Sequence, residues 1–243
     1  LFLGTYNSYE ELKKNIDLFI SIGGDGTILD ATTLIRDTGI PIIGVNTGRL
    51  GFLADIAKDQ ISKTIKQLIN KRFRIDQRTL IKLESKQSIF GELNFALNEV
   101  TISRKDTTSM ITITTYINDQ YLNSYWADGL IIATPTGSTG YSLSCGGPIV
   151  MPGSENFIIT PVAPHNLNVR PLVISDKYKI KVKVEGRAKQ FLVALDSRIQ
   201  TMDAGLELTI KKESFKINMI ETETQDFSST LRNKLLWGLD KRN

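Results

Sequence analysis

A glycine-rich segment with one carboxylate is the first group in this sequence that could do chemistry. It reads Gly23-Gly-Asp-Gly-Thr27 and lies between an apolar run, residues 17–22, and a helical pattern that continues to about residue 36. Backbone N–H groups at a strand-to-helix junction can bind phosphate, and glycines let a ligand approach the backbone closely. A carboxylate beside phosphates is repulsive unless it holds a metal or accepts a proton, so Asp25 is a candidate catalytic group in phosphoryl transfer. The alternative is a tight turn in which Asp25 caps the helix.

The second group is a run of hydroxyl-bearing residues and glycines. Asp128 precedes an apolar strand, residues 129–133, and the segment Thr134-Pro-Thr-Gly-Ser-Thr-Gly-Tyr-Ser-Leu-Ser144 follows it. This composition predicts a polar ligand surface with a short helix beginning at about Thr139, whose N–H groups face an anion or a ribose. The alternative is a capped helix with Ser and Thr turns. Tyr141 is either a core residue or a platform on which an aromatic base stacks.

The third group is the pair Asn98-Glu99 inside an otherwise apolar strand. Adjacent side chains of a strand point to opposite faces, so at least one of the two is costly to bury unless it is hydrogen-bonded. From the residues alone, a structural role at the edge of a sheet is the favoured interpretation.

The elements that must position Asp25 follow an alternation of strand and helix. Apolar strands are predicted at residues 17–22 and 40–45, with an amphipathic helix over residues 58–71. Continuous apolar strands separated by helices are typical of a parallel sheet covered on both faces. We therefore predict a Rossmann-like α/β domain over residues 1–72.

The other two groups lie in a region where apolar and polar residues alternate with a period of two. Alternating apolar and polar residues recur after residue 72, as in Ile180, Val182 and Val184, and an Asn118-Asp119 turn separates two such strands. Half-buried antiparallel strands produce this pattern. We predict a β-rich domain over residues 73–222 and a helical tail over residues 223–243 that packs back on the first domain.

Composition excludes several classes of function. The 243 residues carry a net charge of +4 with the basic residues scattered along the chain, which argues against a nucleic-acid surface. The single Cys145 and single His165 provide no internal disulfide and no cysteine or histidine metal cluster. Because no apolar run approaches the roughly 18 residues of a membrane span, we expect a cytoplasmic protein that binds no membrane.

The three groups, in this order and spacing, resemble the NAD kinase family of the bacterial type, from about residue 16 to residue 237. The glycine motif is shared with lipid kinases and phosphofructokinases, whereas Asp-Gly followed by Thr-Pro-Thr-Gly-Ser-Thr is far more specific. The resemblance implies transfer of the γ-phosphoryl group of ATP to the 2′-hydroxyl of the adenosine ribose of NAD, giving NADP, with a divalent cation such as Mg²⁺. It also implies an α/β domain, a sandwich-like β domain with the site in the crevice between them, and a homodimer or homotetramer.

The resemblance assigns a role to each matching position. Asp25 matches the proton-accepting aspartate and Gly26 lies against the ligand. Asn98 and Glu99 match the dinucleotide-binding pair, and Asp128 matches a contact to ribose or nicotinamide. The loop that holds the adenosine part matches Thr139, Gly140, Tyr141, Ser142, Leu143 and Ser144.

Three departures from the family pattern stand out. Gly140 replaces the usual alanine, and the strand and helix that normally precede the segment at residue 16 are not in this sequence, which suggests residues missing upstream of Leu1. Arg198 stands where many relatives have glutamine. An arginine there offers a planar cationic fork, so we expect Arg198 to contact the ligand and to favour the 2′-phosphate of NADP. The alternative is a solvated surface arginine paired with a nearby carboxylate.

Two other functions compete with NAD phosphorylation. A lipid kinase would need an apolar groove for acyl chains, whereas the region after Asp128 is rich in Thr, Ser and Gly. A non-catalytic dinucleotide-binding protein would gain nothing from a carboxylate beside phosphates, so Asp25 argues against it.

Overall fold

The computed structural model describes residue 6 and residues 8–12, 16–48, 51–106, 109–187, 189–223 and 226–236. The elements up to the middle of the chain are α1 (Tyr9–Leu12), β1 (Phe19–Gly23), α2 (Asp25–Ile35), β2 (Ile42–Asn46), α3 (Ile61–Ile69), β3 (Phe73–Ser85), β4 (Phe95–Ala96), β5 (Glu99–Arg104), β6 (Ile111–Ile117), β7 (Gln120–Ala127) and β8 (Gly129–Ala133). They continue as α4 (Tyr141–Ser144), β9 (Asn156–Val162), β10 (Leu172–Ser175), β11 (Ile180–Gly186), β12 (Gln190–Leu195), β13 (Arg198–Asp203), β14 (Glu207–Thr222) and α5 (Phe227–Leu235). Short 3₁₀ helices cover Arg36–Thr38, Lys58–Gln60 and Thr136–Thr139.

The chain forms two compact units. The first comprises residues 1–78 and 215–243, and the second comprises residues 79–214. The boundaries predicted from the sequence, after residues 72 and 222, coincide with the start of β3 and the end of β14. The structure instead divides the chain inside these two long strands, because each of them contributes residues to both units.

The first unit has the predicted α/β character. β1 and β2 pair in parallel, and Met219 in β14 pairs in parallel with Ile42. Helix α2 packs against β1 and buries Ile28, Ala31, Thr32 and Ile35. A small apolar cluster of Ile43, Val45, Ile56 and Ile220 lies on the other side of β2 and is lined by α3.

The predicted burial of β1 is wrong on one face. Ile20 and Ile22 are 44% and 65% exposed. β1 lies at the edge of its sheet, and α2 covers only one of its two faces. On the uncovered face, Ile20 and Ile22 line an apolar groove of about 380 Å³ together with Ile65 and Leu68 of α3.

The second unit is the predicted β-rich sandwich. One sheet has the order β10-β9-β8-β5-β12-β13 and is antiparallel throughout. The facing layer contains β14, β11, β6 and β7, also antiparallel. Its β6–β7 turn has positive φ at both Asn118 and Asp119, as a two-residue hairpin turn of type I′ requires.

Both layers contribute to one core. Apolar side chains of β5, β8, β9 and β12 pack against those of β6, β11 and β14, and Phe157 and Phe191 are the largest of the fully buried side chains. Along these strands, the apolar residues of the alternating sequence pattern face this core, and the polar residues between them face outward. No helix among the described residues is long and apolar enough to cross a membrane.

We expect Phe157→Ala to lower the free energy of unfolding by about 3–5 kcal/mol, because it removes a fully buried ring and leaves a cavity. Ile199→Ala is the control, since Ile199 is 61% exposed on β13 and its loss should cost less than about 0.5 kcal/mol. Urea unfolding followed by circular dichroism measures both values. Equal effects of the two changes would contradict the assignment of this core.

Candidate active site

Asp25 is the first residue of helix α2, directly after β1 and the turn residue Gly24. The helix is capped by Gly24 in an extended conformation, and no side chain makes a capping hydrogen bond there. The alternative in which Asp25 is the N-cap is therefore wrong. The carboxylate instead extends toward residues 51–54, the segment that follows β2.

Three successive backbone N–H groups hold the Asp25 carboxylate. Phe52 N–H donates to Oδ2 over 2.8 Å, while Leu53 and Ala54 N–H donate to Oδ1 over 3.0 and 2.9 Å. Gly51 makes this approach possible, because a Cβ added there would lie 1.8 Å from Oδ1 of Asp25. The carboxylate is thereby fixed in position and half-buried at the start of the helix.

Asn98 and Glu99 lie where the chain passes from β4 into β5. Asn98 C=O accepts a hydrogen bond from Thr134 N–H over 2.8 Å, and Leu97 C=O accepts one from the Thr134 hydroxyl over 2.6 Å. Glu99 pairs with Ala133, the last residue of β8. These contacts join the Asn-Glu pair to the start of the Thr- and Gly-rich loop, two segments that are far apart in the sequence.

The side chains of Asn98 and Glu99 contain buried polar atoms without partners among the described residues. These atoms are Asn98 Oδ1 and Glu99 Oε2. Glu99 is only 9% exposed. Burial, and to a lesser degree the Asp196 carboxylate, raises the pKa of Glu99 to about 8. At neutral pH Glu99 is therefore a protonated acid that can donate a hydrogen bond.

The Thr- and Gly-rich loop forms a 3₁₀ helix, Thr136–Thr139, followed by the four-residue helix α4. Tyr141 is 46% exposed, so it is not a core residue, and Ser144 is also exposed. Gly140 lies over the Asn-Glu pair, since an added Cβ would be 3.2 Å from Glu99 Oε2. The fold thus brings Gly140 and Glu99 together.

Two predicted contact residues in this segment have their hydroxyl groups occupied within the protein. The fully buried Ser142 hydroxyl is hydrogen-bonded to that of Thr160 over 2.8 Å. Thr139 donates to Thr136 C=O over 3.3 Å. In this arrangement the Ser142 side chain joins α4 to β9 and does not reach the surface.

Asp128 lies at the other end of β8 from Asn98 and Glu99. It precedes Ala133 by five residues, about 17 Å along an antiparallel strand. Its carboxylate forms an ion pair with Arg104 over 3.1 Å. Burial raises the pKa of Tyr141, with smaller contributions from Cys145 and from the Asp128 charge. Asp128 is thus grouped with Tyr141 rather than with the Asn-Glu pair.

Arg198, the first residue of β13, donates through Nη1 and Nη2 to the carbonyl oxygens of Leu93 and Phe95. The guanidinium is partly buried and bonded to the backbone, which differs from the alternative of a solvated surface arginine. Its neighbour Asp196, which sequence reasoning did not select, accepts hydrogen bonds from the backbone N–H groups of Leu97, Asn98 and Glu99. The polar break Asp196-Ser197 after an apolar strand was the one signal that pointed to this turn.

The predicted residues are divided between the two compact units. Asp25 and Gly26 belong to the first unit, and the other predicted residues belong to the second. Over the described parts of the chain, no group of three or more His, Cys, Asp or Glu side chains forms a metal site.

Sequence profiles of two domains match this chain. The profile of the ATP-NAD kinase N-terminal domain matches residues 5–73, and that of the C-terminal domain matches residues 97–222. A NAD kinase of Flavobacterium psychrophilum is 59% identical over 98% of this chain and 82% of its own length. A NAD kinase of Cytophaga hutchinsonii is 52% identical over 100% of this chain and 82% of its own length.

Two solved structures have the same fold. Yeast NADH kinase complexed with NADH has a TM-score of 0.86 and 27% identity, covering 96% of this chain and 69% of the yeast chain. A NAD kinase from Archaeoglobus fulgidus in complex with ATP has a TM-score of 0.79 and 31% identity, covering 94% of this chain and 84% of the archaeal chain. With both domain profiles and close relatives matched over nearly its whole length, the chain belongs to the NAD kinase family and is an ATP-dependent enzyme that phosphorylates NAD to NADP.

Proposed function

We propose that Asp25 accepts the proton of the 2′-hydroxyl on the adenosine ribose of NAD while the γ-phosphoryl group of ATP moves to that oxygen. The bond from the γ-phosphorus to the β–γ bridging oxygen breaks, a bond to the ribose oxygen forms, and ADP leaves. Since phosphoryl transfer depends mainly on positioning, an aspartate need not be a strong base to serve here. The observation that carries this proposal is the geometry of the Asp25 carboxylate.

The Asp25 carboxylate keeps one acceptor position. An ionised carboxylate has about four acceptor sites on its two oxygens. The N–H groups of residues 52–54 occupy two on Oδ1 and one on Oδ2. The remaining site on Oδ2 can accept the hydroxyl proton. Because the three N–H groups fix the carboxylate, this site is oriented before the substrate arrives.

The first turn of α2 is suited to the phosphates of ATP. Gly24 and Gly26 leave open space where a side chain would stand, since an added Cβ at either would meet nothing within 4 Å. The 11-residue helix α2 begins there, and its unpaired N–H groups and dipole favour an anion. This agrees with the ATP present in the archaeal structure.

A divalent cation, which we propose to be Mg²⁺, would accompany ATP. Magnesium is commonly held by one or two carboxylates together with substrate phosphates rather than by an all-protein cage. The described residues contain no cluster of three ligands, and the one open site of Asp25 is assigned to the hydroxyl proton, so the phosphates of ATP would hold the cation. The cation would neutralise charge on the transferring phosphoryl group.

NAD would bind to the second unit. Glu99, as a neutral acid, and Asn98 offer buried polar groups that a dinucleotide can satisfy. We propose that Gly140 lets the ligand approach this pair and that the exposed ring of Tyr141 stacks on the adenine base, with Asp128 beside it. Thr139, Ser142, Leu143 and Ser144 would shape the loop that holds the adenosine part.

We expect Asp25→Asn to lower kcat by at least about 100-fold, because an amide nitrogen cannot accept the proton. The change also replaces an acceptor of the residue 52–54 N–H groups, so the melting temperature should fall as well. NAD affinity should change little, which calorimetry on the folded variant measures.

The matched control is Gly51→Ala, whose methyl group would collide with the Asp25 carboxylate without removing it. If the carboxylate acts only by holding the loop, the control should lose as much turnover as Asp25→Asn. A loss that is at least ten times larger in Asp25→Asn supports proton transfer, while near-normal turnover in that variant would refute it.

The pKa of Glu99 predicts a pH dependence. In the unfolded chain Glu99 ionises above its ordinary value of 4.5, whereas in the folded protein it stays protonated up to about 8. The folded state therefore binds more protons over this interval, and its stability falls as the pH rises from about 4.5 to 8. We expect Glu99→Gln, which is neutral at every pH, to gain melting temperature relative to the parent between pH 5 and pH 8. A constant difference across this range would contradict a buried neutral Glu99.

We further propose that the chain forms a homodimer or homotetramer. Asp128 stands at the opposite end of β8 from the Asn-Glu pair, which favours a site completed by a second copy. Light scattering on the eluted peak should give two or four times 27.1 kDa. A monomer that is active at the same concentration would refute this assembly.

A further inference from the structure

The turn between β12 and β13 contains an aspartate in an unusual conformation. Leu195 pairs with Arg198, so Asp196 and Ser197 form a two-residue hairpin loop. Asp196 has φ +53°, a left-handed conformation that favours glycine. Asp is among the few side chains that adopt this conformation readily, and here its carboxylate faces the backbone of residues 97–99.

The Asp196 carboxylate gathers three successive N–H groups. Leu97 N–H donates to Oδ2 over 2.9 Å, and Asn98 and Glu99 N–H donate to Oδ1 over 2.8 and 3.1 Å. The backbone N–H of Asp196 also donates to Glu99 C=O over 3.1 Å. These bonds satisfy the backbone at the junction between β4 and β5, which begins at Glu99.

Arg198 holds the same segment through its carbonyl groups. Its guanidinium donates to Leu93 and Phe95 C=O and lies over the Phe95 ring at 5.8 Å from the centroid. One turn thus supplies an anion to the N–H groups of residues 97–99 and a cation to the carbonyls of residues 93 and 95. We name Asp196 and Arg198 together the turn clamp.

We propose that the turn clamp positions the side chains of Asn98 and Glu99 for the dinucleotide, so that Asp196 and Arg198 are positioning residues of this enzyme. This rests on the proposed function, in which Asn98 and Glu99 bind NAD. A clamp that acts through the backbone leaves both side chains available to a ligand. Asn98 Oδ1 and Glu99 Oε2 are buried and have no partner among the described residues, whereas buried polar atoms are normally hydrogen-bonded, so both can bind a polar group of a ligand.

The clamp also affects the protonation of Glu99. The carboxyl group of Asp196 is the charged neighbour of Glu99, and its bonds from three N–H groups and the nearby Arg198 favour its ionised form, although burial raises its pKa. The pKa of Glu99 is raised by burial and then by Asp196. The N–H groups of residues 97–99 thus favour the charged form of Asp196, and burial favours the protonated form of Glu99.

The test compares Asp196→Asn, Arg198→Gln and the control Asp203→Asn in the full chain, by steady-state kinetics and calorimetric titration with NAD and NADP. Asp203 undergoes the same chemical change at the far end of β13, where it is exposed. We expect Asp196→Asn to raise the KM for NAD at least about tenfold with kcat changed less than about threefold. In the same variant, the pH above which NAD affinity declines should be lower than in the parent, because the Asp196 carboxylate contributes to the raised pKa of Glu99. The control Asp203→Asn should have the KM, kcat and pH dependence of the parent.

Arg198→Gln keeps the proposal testable if Asp196→Asn does not fold. If the clamp acts through the backbone, this variant should weaken the binding of NAD and of NADP by the same factor, about three- to tenfold. A selective loss of NADP would mean that Arg198 contacts the 2′-phosphate and would overturn its place in the clamp. An Asp196→Asn variant that melts earlier but keeps the parental KM and pH profile would overturn the positioning role of Asp196.

Asn98→Ala separates this inference from the proposed function. If Asn98→Ala leaves NAD affinity unchanged, the proposed role of Asn98 fails, and the clamp can act only through Glu99. If Asn98→Ala lowers the affinity for NAD while the two clamp variants do not, the role of Asn98 is supported and the clamp alone is refuted.

Discussion

A carboxylate bound by three successive backbone N–H groups occurs twice in this enzyme, and the proposed chemistry depends on both. Asp25 holds residues 52–54 in the first unit, and Asp196 holds residues 97–99 in the second. Hydrogen bonds to a charged group contribute about 1.5–3 kcal/mol each, more than those between neutral groups. Each carboxylate therefore fixes the position of a short backbone segment, as the hydrogen bonds between strands do over a longer distance.

The two carboxylates differ in what they leave available. Asp25 keeps an acceptor site of its own at the start of a helix, so the group that organises the loop is also the group proposed to react. Asp196 is enclosed in a hairpin turn, and the groups that it makes available are the side chains of its partners, Asn98 and Glu99. The same motif can thus serve as a reactive group in one place and as a support in another.

Sequence reasoning reached the parts of this arrangement that depend on local pattern. The glycine motif predicted the strand-to-helix junction at Asp25, and the change of period at residue 73 predicted the β-rich unit. It could not predict that Asp196 binds residues 97–99, because nearly one hundred positions separate them and no spacing rule connects a hairpin turn to a strand start. For the same reason the Ser142 hydroxyl, which is paired with Thr160, could not be distinguished from its exposed neighbours.

The error at β1 has a different cause. An apolar run shows that a strand can be buried, but it does not show which neighbours will cover it. Ile20 and Ile22 have the composition of a doubly covered strand, and in this chain α2 protects only the opposite face. Burial is a property of the surroundings, so it is the part of a strand prediction that needs the tertiary structure.

The discontinuity of the first unit has a consequence for synthesis of the chain on the ribosome. Residues 79–214 are contiguous, so the second unit can close its core as soon as β14 has begun to emerge. The first unit needs residues 215–236, including Met219 and Ile220, which pack with β2 and are made after the second unit. N-terminal domains usually fold first during synthesis. Here we expect the reverse order, because the helix that carries Asp25 completes its surroundings only after the whole second unit has been synthesised.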